Sequence, residues 1–329
     1  MLSLHKKLLR TMLNRRILRI KAFKVLYSYA ENPSMTLAEA ESQLEISCEA
    51  TRSLYLFMLS IIPYITREAA ERIENARKKF NPSEEEKNPN LKFVSNGIAP
   101  LLEGDPDLNK LLSRRKLSWE PYDAFIRETY DSMSKKDYFK EYMSEPGSSL
   151  TGDASLFIKM FEEEFVDSKE LEKILEDMSI WWNDDLAYSL GVCCDTMKSV
   201  AKGNRWELPP LYRSDMVPSK SKESDKAFVT KLLRTSYSCY DKYFPLVASS
   251  TDQWQEDRLF TTDTVLIIMG LGEAKAFPDM PVRVTINEYV EISKYYSTPK
   301  SRSFVNGILD RLIRQLVESG EIVKTGIFD

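Results

Sequence analysis

Apolar residues recur at helical spacing along most of the chain, and this pattern predicts a protein made of helices. Residues 15–30 are the clearest case, because their apolar side chains occupy most of a helical wheel. A helix that is apolar nearly all round is usually buried among several others. The segment SFVNGILDRL (303–312) has apolar residues at helical spacing around Gly307, where a glycine costs about 1 kcal/mol relative to alanine.

Capping and breaking residues indicate the helix boundaries that follow the first helix. Thr36 and Glu39 form a capping-box pattern that opens a second helical region. A long helix is predicted from about residue 49 to residue 80, with a kink at Pro63, because proline disrupts a helix interior.

Similar signals divide the last third of the chain. Thr285 and Glu288 form another capping-box pattern and predict a helix start. Thr298 is predicted to cap the last helix, with Pro299 in its first position. Gly320 is predicted to end that helix.

The composition favours an all-α protein. Only 11 of 329 residues are glycine, too few for an enzyme built on glycine-rich loops. Aromatic residues repeat weakly in the middle, where WWNDDL (181–186) and WQEDRL (254–259) share a W-x-x-D-x-L pattern. A degenerate two-helix repeat and chance similarity between helical segments both remain open. The proline-rich, polar stretch at 207–225 is the strongest linker signal.

Charge is distributed unevenly along the chain. The first 24 residues hold eight basic side chains and no acidic one, although the whole chain carries a net charge of −4. This asymmetry points to a polyanion at one end. No apolar run is long enough to span a membrane, and four cysteines without CxxC spacing indicate buried, reduced thiols in a cytoplasmic protein.

Catalytic signals are sparse. His5 is the single histidine, which excludes Ser-His-Asp and Cys-His arrangements and histidine-rich metal sites. The phosphate-binding glycine motifs G-x-x-x-x-G-K-[ST] and G-x-G-x-x-G are absent. Asp184 and Asp185 are expected to be solvated surface residues. We therefore predict a protein without catalytic residues, cofactor or metal.

Two segments at opposite ends of the chain resemble the bacterial transcription antitermination factor NusB family. The C-terminal segment 277–312 carries D-x-P at 279–281, INE at 286–288, EI-x-K at 291–294 and FVNG-x-LD at 304–310. The segment RRILRIKAFKVLYSY (15–29) resembles the first helix of that family. The resemblance implies a NusB-like helical bundle formed by residues 1–34 and 225–329 and interrupted by a helical insertion at 35–224. Gly307 would then permit close backbone approach.

The resemblance also implies a function and its residues. Family members bind boxA-type RNA of ribosomal RNA operon transcripts together with the ribosomal protein NusE, in an RNA polymerase antitermination complex. The RNA-binding residues implied here are Arg15, Arg16, Arg19, Lys275, Arg283, Lys300, Arg302 and Phe304. A NusE-facing surface is expected around Tyr27, Asp263 and Glu273.

Independent physical arguments support part of this set. Three arginines at the start of the first helix oppose the helix dipole, an arrangement that suits a phosphate ligand. Phe304 could stack on an unpaired base, although core packing is an equal alternative. Many relatives carry an acidic residue at the position of Lys300. The lysine of this chain is expected to change the base preference and to add positive charge for phosphate.

Two other functions remain as alternatives. The insertion could make this protein a helical interaction scaffold in ribosome assembly or transcription. In that case the anchors would be tryptophans, namely Trp119, Trp181, Trp182 and Trp254. NusB-like domains also occur fused to ribosomal RNA methyltransferases, but this chain lacks a glycine-rich cofactor motif.

Overall fold

The regular structure of the protein is helical in every part of the chain that is described. A computed structural model describes residues 13–203, 225–250 and 261–325. These ranges contain α-helices and two short 3₁₀ turns, in agreement with the all-α class predicted from composition. The predictions for the basic residues before position 13, the linker at 207–224 and the motif at Trp254 lie outside the described residues.

The helices are numbered here in chain order. They are α1 (Leu13–Glu31), α2 (Leu37–Leu59), α3 (Ile61–Arg77), α4 (Glu84–Lys87), α5 (Ile98–Glu103), α6 (Pro106–Arg115), α7 (Asp123–Lys135), α8 (Asp137–Ser144), α9 (Leu150–Glu164), α10 (Lys169–Met178), α11 (Leu186–Ala201), α12 (Asp225–Ser238), α13 (Tyr240–Ser249), α14 (Thr261–Ala276), α15 (Val282–Tyr296) and α16 (Ser301–Glu318).

The chain forms two compact units. The first comprises Met1–Cys48 together with Tyr212–Asp329, and the second comprises Glu49–Leu211. The first division falls inside α2, whereas the boundary expected from sequence follows residue 34. The difference arises because Ala40, Leu44 and Cys48 are buried in the core of the first unit.

The core of the first unit joins the two ends of the chain. Ala22 and Leu26 of α1 share one apolar cluster with Leu232 of α12, Ile267 of α14 and Leu309 of α16. All five side chains are fully buried, as expected for a helix that is apolar on nearly all sides. The N-terminal helix therefore belongs to the same bundle as the last hundred residues.

Close helix packing depends on two glycines of α14. A Cβ atom built on Gly270 would lie 2.5 Å from Cδ2 of Leu309, and one on Gly272 would lie 3.0 Å from Cα of Ser236. At Gly307, by contrast, an added Cβ would meet nothing within 4 Å. The close backbone packing that was expected at Gly307 therefore occurs at Gly270 and Gly272 of α14 instead.

The helix boundaries near the N-terminus confirm the capping box and correct the position of the break. The backbone N–H of Thr36 donates to Glu39 Oε2 at 2.7 Å, and the Glu39 N–H donates to Thr36 Oγ1 at 3.3 Å. The single kinked helix predicted for 49–80 is instead two helices separated at Ser60. Pro63 is the third residue of α3, where its missing N–H costs no intrahelical hydrogen bond.

Near the C-terminus the predicted stop is confirmed and the predicted starts are wrong. Gly320 has φ +76° and follows the last helical turn. Thr285 and Glu288 lie inside α15, which begins at Val282, and both side chains bind residues of other helices. α16 begins at Ser301, and its N-cap makes no side-chain hydrogen bond, so Thr298 lies before the helix rather than capping it.

Aromatic packing organises the second unit. The indole of Trp119 stacks on Phe57 with ring centroids 3.9 Å apart, and Trp182 lies 5.7 Å from the same ring. The Trp119 Nε1–H donates to the Phe57 carbonyl, and the Trp182 Nε1–H donates to the Ala50 carbonyl, each at 2.8 Å. Both tryptophans are buried packing residues, which removes them as anchors for a partner.

Asp185 and the cysteines have interior positions in this fold. Asp185 is 0 % exposed, and Thr51 Oγ1 donates to its Oδ2 at 2.5 Å, so the expectation of a solvated Asp185 is wrong. All four cysteines are buried free thiols, as predicted. Among the described helices, none is long and apolar enough to cross a membrane.

Candidate nucleic-acid interface

Helix α1 lies alongside α15 and runs in the same direction. Arg16 near its start contacts Glu288, and Lys24 further along lies 5.9 Å from the ring centroid of Tyr296. Both pairs advance by eight residues, which corresponds to about 12 Å along a helix. Lys24 is therefore separated from Arg16 along α15, whereas Arg16 and Arg19 both contact Glu288, and Arg15 and Arg19 both lie over the ring of Phe228.

Arg19 is part of a buried network and not of the surface. It is 3 % exposed, and its Nε and Nη2 atoms donate to the two oxygens of Glu273 at 2.7 and 2.9 Å. Thr285 Oγ1 and the Tyr289 hydroxyl donate to the same carboxylate at 3.1 and 3.0 Å. Burial, reinforced by the adjacent Glu273 carboxylate, raises the pKa of Tyr289 well above its usual value, so its hydroxyl keeps its proton.

This network corrects two expectations from the sequence. Arg19 was expected to bind RNA, and Glu273 was expected to face a protein partner. Instead they bind each other inside the first unit, where their hydrogen bonds are charge-assisted and bidentate. Their evident role is to hold α1 against α14 and α15.

Arg16 is also held by an internal carboxylate. Its Nε and Nη2 atoms donate to Glu288 at 3.0 and 2.8 Å, and this hydrogen bonding raises the pKa of Arg16. Arg15 differs, because its guanidinium lies 4.7 Å from the ring centroid of Phe228 and makes no ion pair with any described residue. The unfavourable position of a cation near a helix N-terminus is thus offset for Arg16 by Glu288, whereas Arg19, the seventh residue of α1, lies beyond the first turn.

The turn between α15 and α16 carries exposed cations and an exposed aromatic ring. Lys300 and Arg302 are exposed, and neither has an acidic partner among the described residues. Phe304 is only 8 % exposed and packs in the core, so its ring is unavailable for stacking. Tyr295, at the same turn, is 64 % exposed and offers the ring that was expected from Phe304.

A sequence signal for Tyr295 exists in the adjacent pair Tyr295–Tyr296. Successive helical residues point about 100° apart, so the two tyrosines of the pair project in different directions at the end of α15. Tyr296 packs against Phe23 with ring centroids 5.1 Å apart. Tyr295 is therefore directed outward.

Lys275 and Arg283, the remaining cations predicted to bind RNA, differ in whether an acidic side chain already holds them. Lys275 Nζ lies 2.6 Å from Glu321 Oε1, and hydrogen bonding to Glu321 raises the pKa of Lys275. Arg283 is exposed near the start of α15 and has no acidic partner in the described part of the chain. Arg283 is consequently the freer of the two.

The expected partner surface is largely interior. Asp263 is 2 % exposed, and the Ser301 hydroxyl donates to its Oδ2 at 2.7 Å. Desolvation raises the pKa of Asp263. Tyr27 is half-buried, with its ring centroid 6.2 Å from that of Phe23. With Asp263 and Glu273 buried, Tyr27 is the only member of that predicted set with an accessible side chain.

The fold defines the class of this protein as an all-α bundle built from both chain ends and joined to a second helical unit. The sequence profile of the NusB family matches residues 201–314. Transcription antitermination protein NusB of Salinibacter ruber is 32% identical over 116 residues, which cover 35% of this chain and 72% of that protein. The chain belongs to the NusB family.

Other relatives match over similar lengths. Transcription antitermination protein NusB of Methylacidiphilum infernorum is 34% identical over 109 residues, covering 33% of this chain and 69% of that protein. The protein of the same name from Thermodesulfovibrio yellowstonii is 36% identical over 90 residues, covering 27% of this chain and 60% of that protein. No solved structure matches the chain.

Proposed function

We propose that this protein is a non-enzymatic, RNA-binding transcription antitermination factor. The observation that carries the proposal is the α15–α16 connection, where Lys300 and Arg302 are exposed without acidic partners among the described residues, and where the ring of Tyr295, near the end of α15, is exposed as well. Single-stranded RNA is bound by cations that contact its phosphates and by aromatic rings that stack on its bases. The names of the NusB relatives indicate the process in which such binding is used.

The RNA ligand in this proposal is a boxA-type element of nascent ribosomal RNA operon transcripts. The ribosomal protein NusE is the proposed protein partner, and RNA polymerase carries the assembled complex in the cytoplasm. Lys300 adds a positive charge where many relatives are acidic, so stronger phosphate attraction and an altered base preference are expected.

The proposal gives the individual side chains different roles. Lys24, beside Tyr296, extends the positive surface of the turn onto α1, and Arg15 and Arg283 remain proposed phosphate contacts. Arg16 and Arg19 act indirectly, because their internal ion pairs position α1. Lys275 contributes only when it exchanges Glu321 for a phosphate.

The decisive experiment compares two double variants with equal loss of charge. Lys300→Ala/Arg302→Ala removes the cations of the turn, and Lys110→Ala/Arg114→Ala removes two exposed cations of the second unit. Binding to a short single-stranded boxA-type RNA is followed by fluorescence anisotropy over a salt series. The first variant should lower the slope of log K against log salt by about 1.4, since each single-strand phosphate contact contributes about 0.7.

The control variant should keep the wild-type slope. Equal slopes for wild type and Lys300→Ala/Arg302→Ala would remove the turn from the RNA-binding surface. Tyr295→Ala should weaken binding by about 1–3 kcal/mol without a change in slope, because stacking does not release counterions. A parallel pull-down with NusE tests the protein partner separately.

A further inference from the structure

A shallow groove of about 280 Å³ lies between α15 and α16, on the side facing away from the core. Its apolar floor consists of Val282 and Ile286, which are 9% and 7% exposed. Arg283 and Asn287 of α15 and Asn306 of α16 form much of its polar rim. The volume is close to the lower end of the range for small-ligand pockets, about 300 Å³.

The polar groups of this rim have unused hydrogen-bonding capacity. Asn287 and Asn306 are exposed, and neither side-chain amide has a hydrogen-bond partner among the described residues. Arg283 likewise has no acidic partner there, whereas Arg314 at the far end is paired with Asp310 at 3.0 Å. Two amides and one guanidinium therefore converge on an apolar floor.

Gly307 leaves the backbone of α16 open beside this groove. It follows Asn306 directly and precedes Asp310 by one helical turn, so it borders the same face of the helix. An added Cβ would meet nothing within 4 Å, and glycine is a poor residue for a helix interior. No packing contact explains its presence, but a glycine does allow a ligand to approach the backbone closely.

The groove is also aligned with the cations of the turn. Arg302, Asn306 and Asp310 are spaced by four residues and therefore lie along one side of α16. One helical turn, about 6 Å, separates Arg302 from Asn306. A strand bound at Lys300 and Arg302 would continue directly into the groove.

We propose that the groove binds one nucleotide of single-stranded RNA, as a second contact of the strand held at the α15–α16 turn. The base lies on Val282 and Ile286, its polar edge meets the amides of Asn287 and Asn306, and its phosphate meets Arg283. Asparagine amides both donate and accept, as base edges do, and a rim that carries Arg283 and Arg314 against the single carboxylate of Asp310 suits a phosphate better than a neutral or basic ligand. This proposal rests on the RNA-binding function proposed above.

The first test uses Gly307→Ala and the bulkier Gly307→Leu in the full-length protein. Both side chains would project into open space, so the urea midpoint should stay equal to that of the wild type or rise. Affinity for the short boxA-type RNA should nevertheless fall, and Gly307→Leu should have the larger effect. A variant that is at least as stable but binds RNA less well identifies a ligand surface.

The second test identifies the nucleotide. Asn287→Ala/Asn306→Ala should bind the RNA about tenfold more weakly, while Gln43→Ala, which removes a partly exposed amide of α2, should bind normally. A single abasic position is then moved along the RNA. At one position the abasic RNA should lower wild-type affinity but leave the affinity of the double Asn variant unchanged.

The outcomes separate this proposal from the function on which it rests. If Lys300→Ala/Arg302→Ala loses RNA binding while the Gly307 and Asn variants bind like the wild type, the groove proposal is overturned and the proposed function stands. If wild type itself does not bind RNA, the proposed function fails first. If the Gly307 variants lose NusE and retain RNA, the groove is a protein-docking site and the nucleotide proposal is wrong.

Discussion

The buried ion pair between Arg19 and Glu273 should be essential for the stability of the first unit. Glu273 is 0 % exposed and accepts hydrogen bonds from Arg19, Thr285 and Tyr289. Glu273→Leu removes both carboxylate oxygens and with them every one of these hydrogen bonds. It leaves the Arg19 guanidinium buried, with Glu288 Oε2 as a remaining carboxylate oxygen at 3.5 Å.

The expected cost follows from this geometry. Removing one partner of a buried pair costs about 3–5 kcal/mol, because the other charge is left uncompensated. A typical domain is stable by only about 5–15 kcal/mol, so Glu273→Leu should remove a large share of the stability. Arg19→Met should cost a similar amount. The double variant should cost clearly less than the sum of the two single variants, since apolar residues of similar size replace both charges. Its remaining cost should come from the buried hydroxyls of Thr285 and Tyr289, which lose their acceptor.

Urea unfolding measured in two ways can assign the loss to the first unit. Far-UV circular dichroism follows both units. In a Trp206→Phe/Trp254→Phe background, fluorescence comes from Trp119, Trp181 and Trp182 of the second unit. Glu273→Leu should shift the dichroism transition and leave the fluorescence transition in place.

Two results would refute the reasoning. One is a cost below about 1 kcal/mol for Glu273→Leu, which is the range of exposed ion pairs. The other is a double variant whose cost equals the sum of the two single costs, because independent sites are additive and coupled ones are not.

Three further predictions follow from single contacts. Gly272→Ala should lower the free energy of unfolding by about 1–3 kcal/mol in urea titrations, because its methyl group would crowd the Ser236 backbone; wild-type stability would instead mean that α12 and α14 can separate at this contact without cost. Trp119→Ala should destabilise the second unit by about 3–5 kcal/mol, measured by the fluorescence of the remaining tryptophans. The pKa of Glu321 is lowered to about 2 by hydrogen bonds from two lysines, so its contribution is present at neutral pH and is lost as pH falls from 4.5 towards 2. The melting-temperature difference between wild type and Glu321→Gln, measured by calorimetry, should therefore shrink over that interval.

Local patterns predicted that the helices of the first unit exist, but not where all of them begin, since α15 and α16 start at Val282 and Ser301. The apolar residues of 17–29 predict a buried helix regardless of which other helices pack against it. Helix α1 is that helix. The Thr36–Glu39 capping box is equally local, since both residues act within one turn. The pair Thr285 and Glu288 has the same spacing, but tertiary contacts with Glu273 and Arg16 use their side chains instead.

The candidate site was harder to predict because its residues depend on distant partners. An arginine at a helix N-terminus has the same local sequence whether its partner is a phosphate or a carboxylate, and Glu273 lies 254 positions from Arg19. The orientation of the helices likewise decides which ring is exposed, because it buries Phe304 and leaves Tyr295 open. The cations at 300 and 302 could be predicted because they lie at the N-cap and in the first turn of α16, next to a connecting segment, where side chains usually remain exposed.

The union of the two chain ends has a consequence for synthesis on the ribosome. Translation proceeds at about 5–20 residues per second, so the 254 positions between Arg19 and Glu273 require on the order of 10 to 50 s. During that interval α1 exposes its apolar surface without its final neighbours, while the intervening unit can already fold. Nascent chains of this protein should therefore depend on chaperones that shield α1 more than those of a relative without the intervening unit.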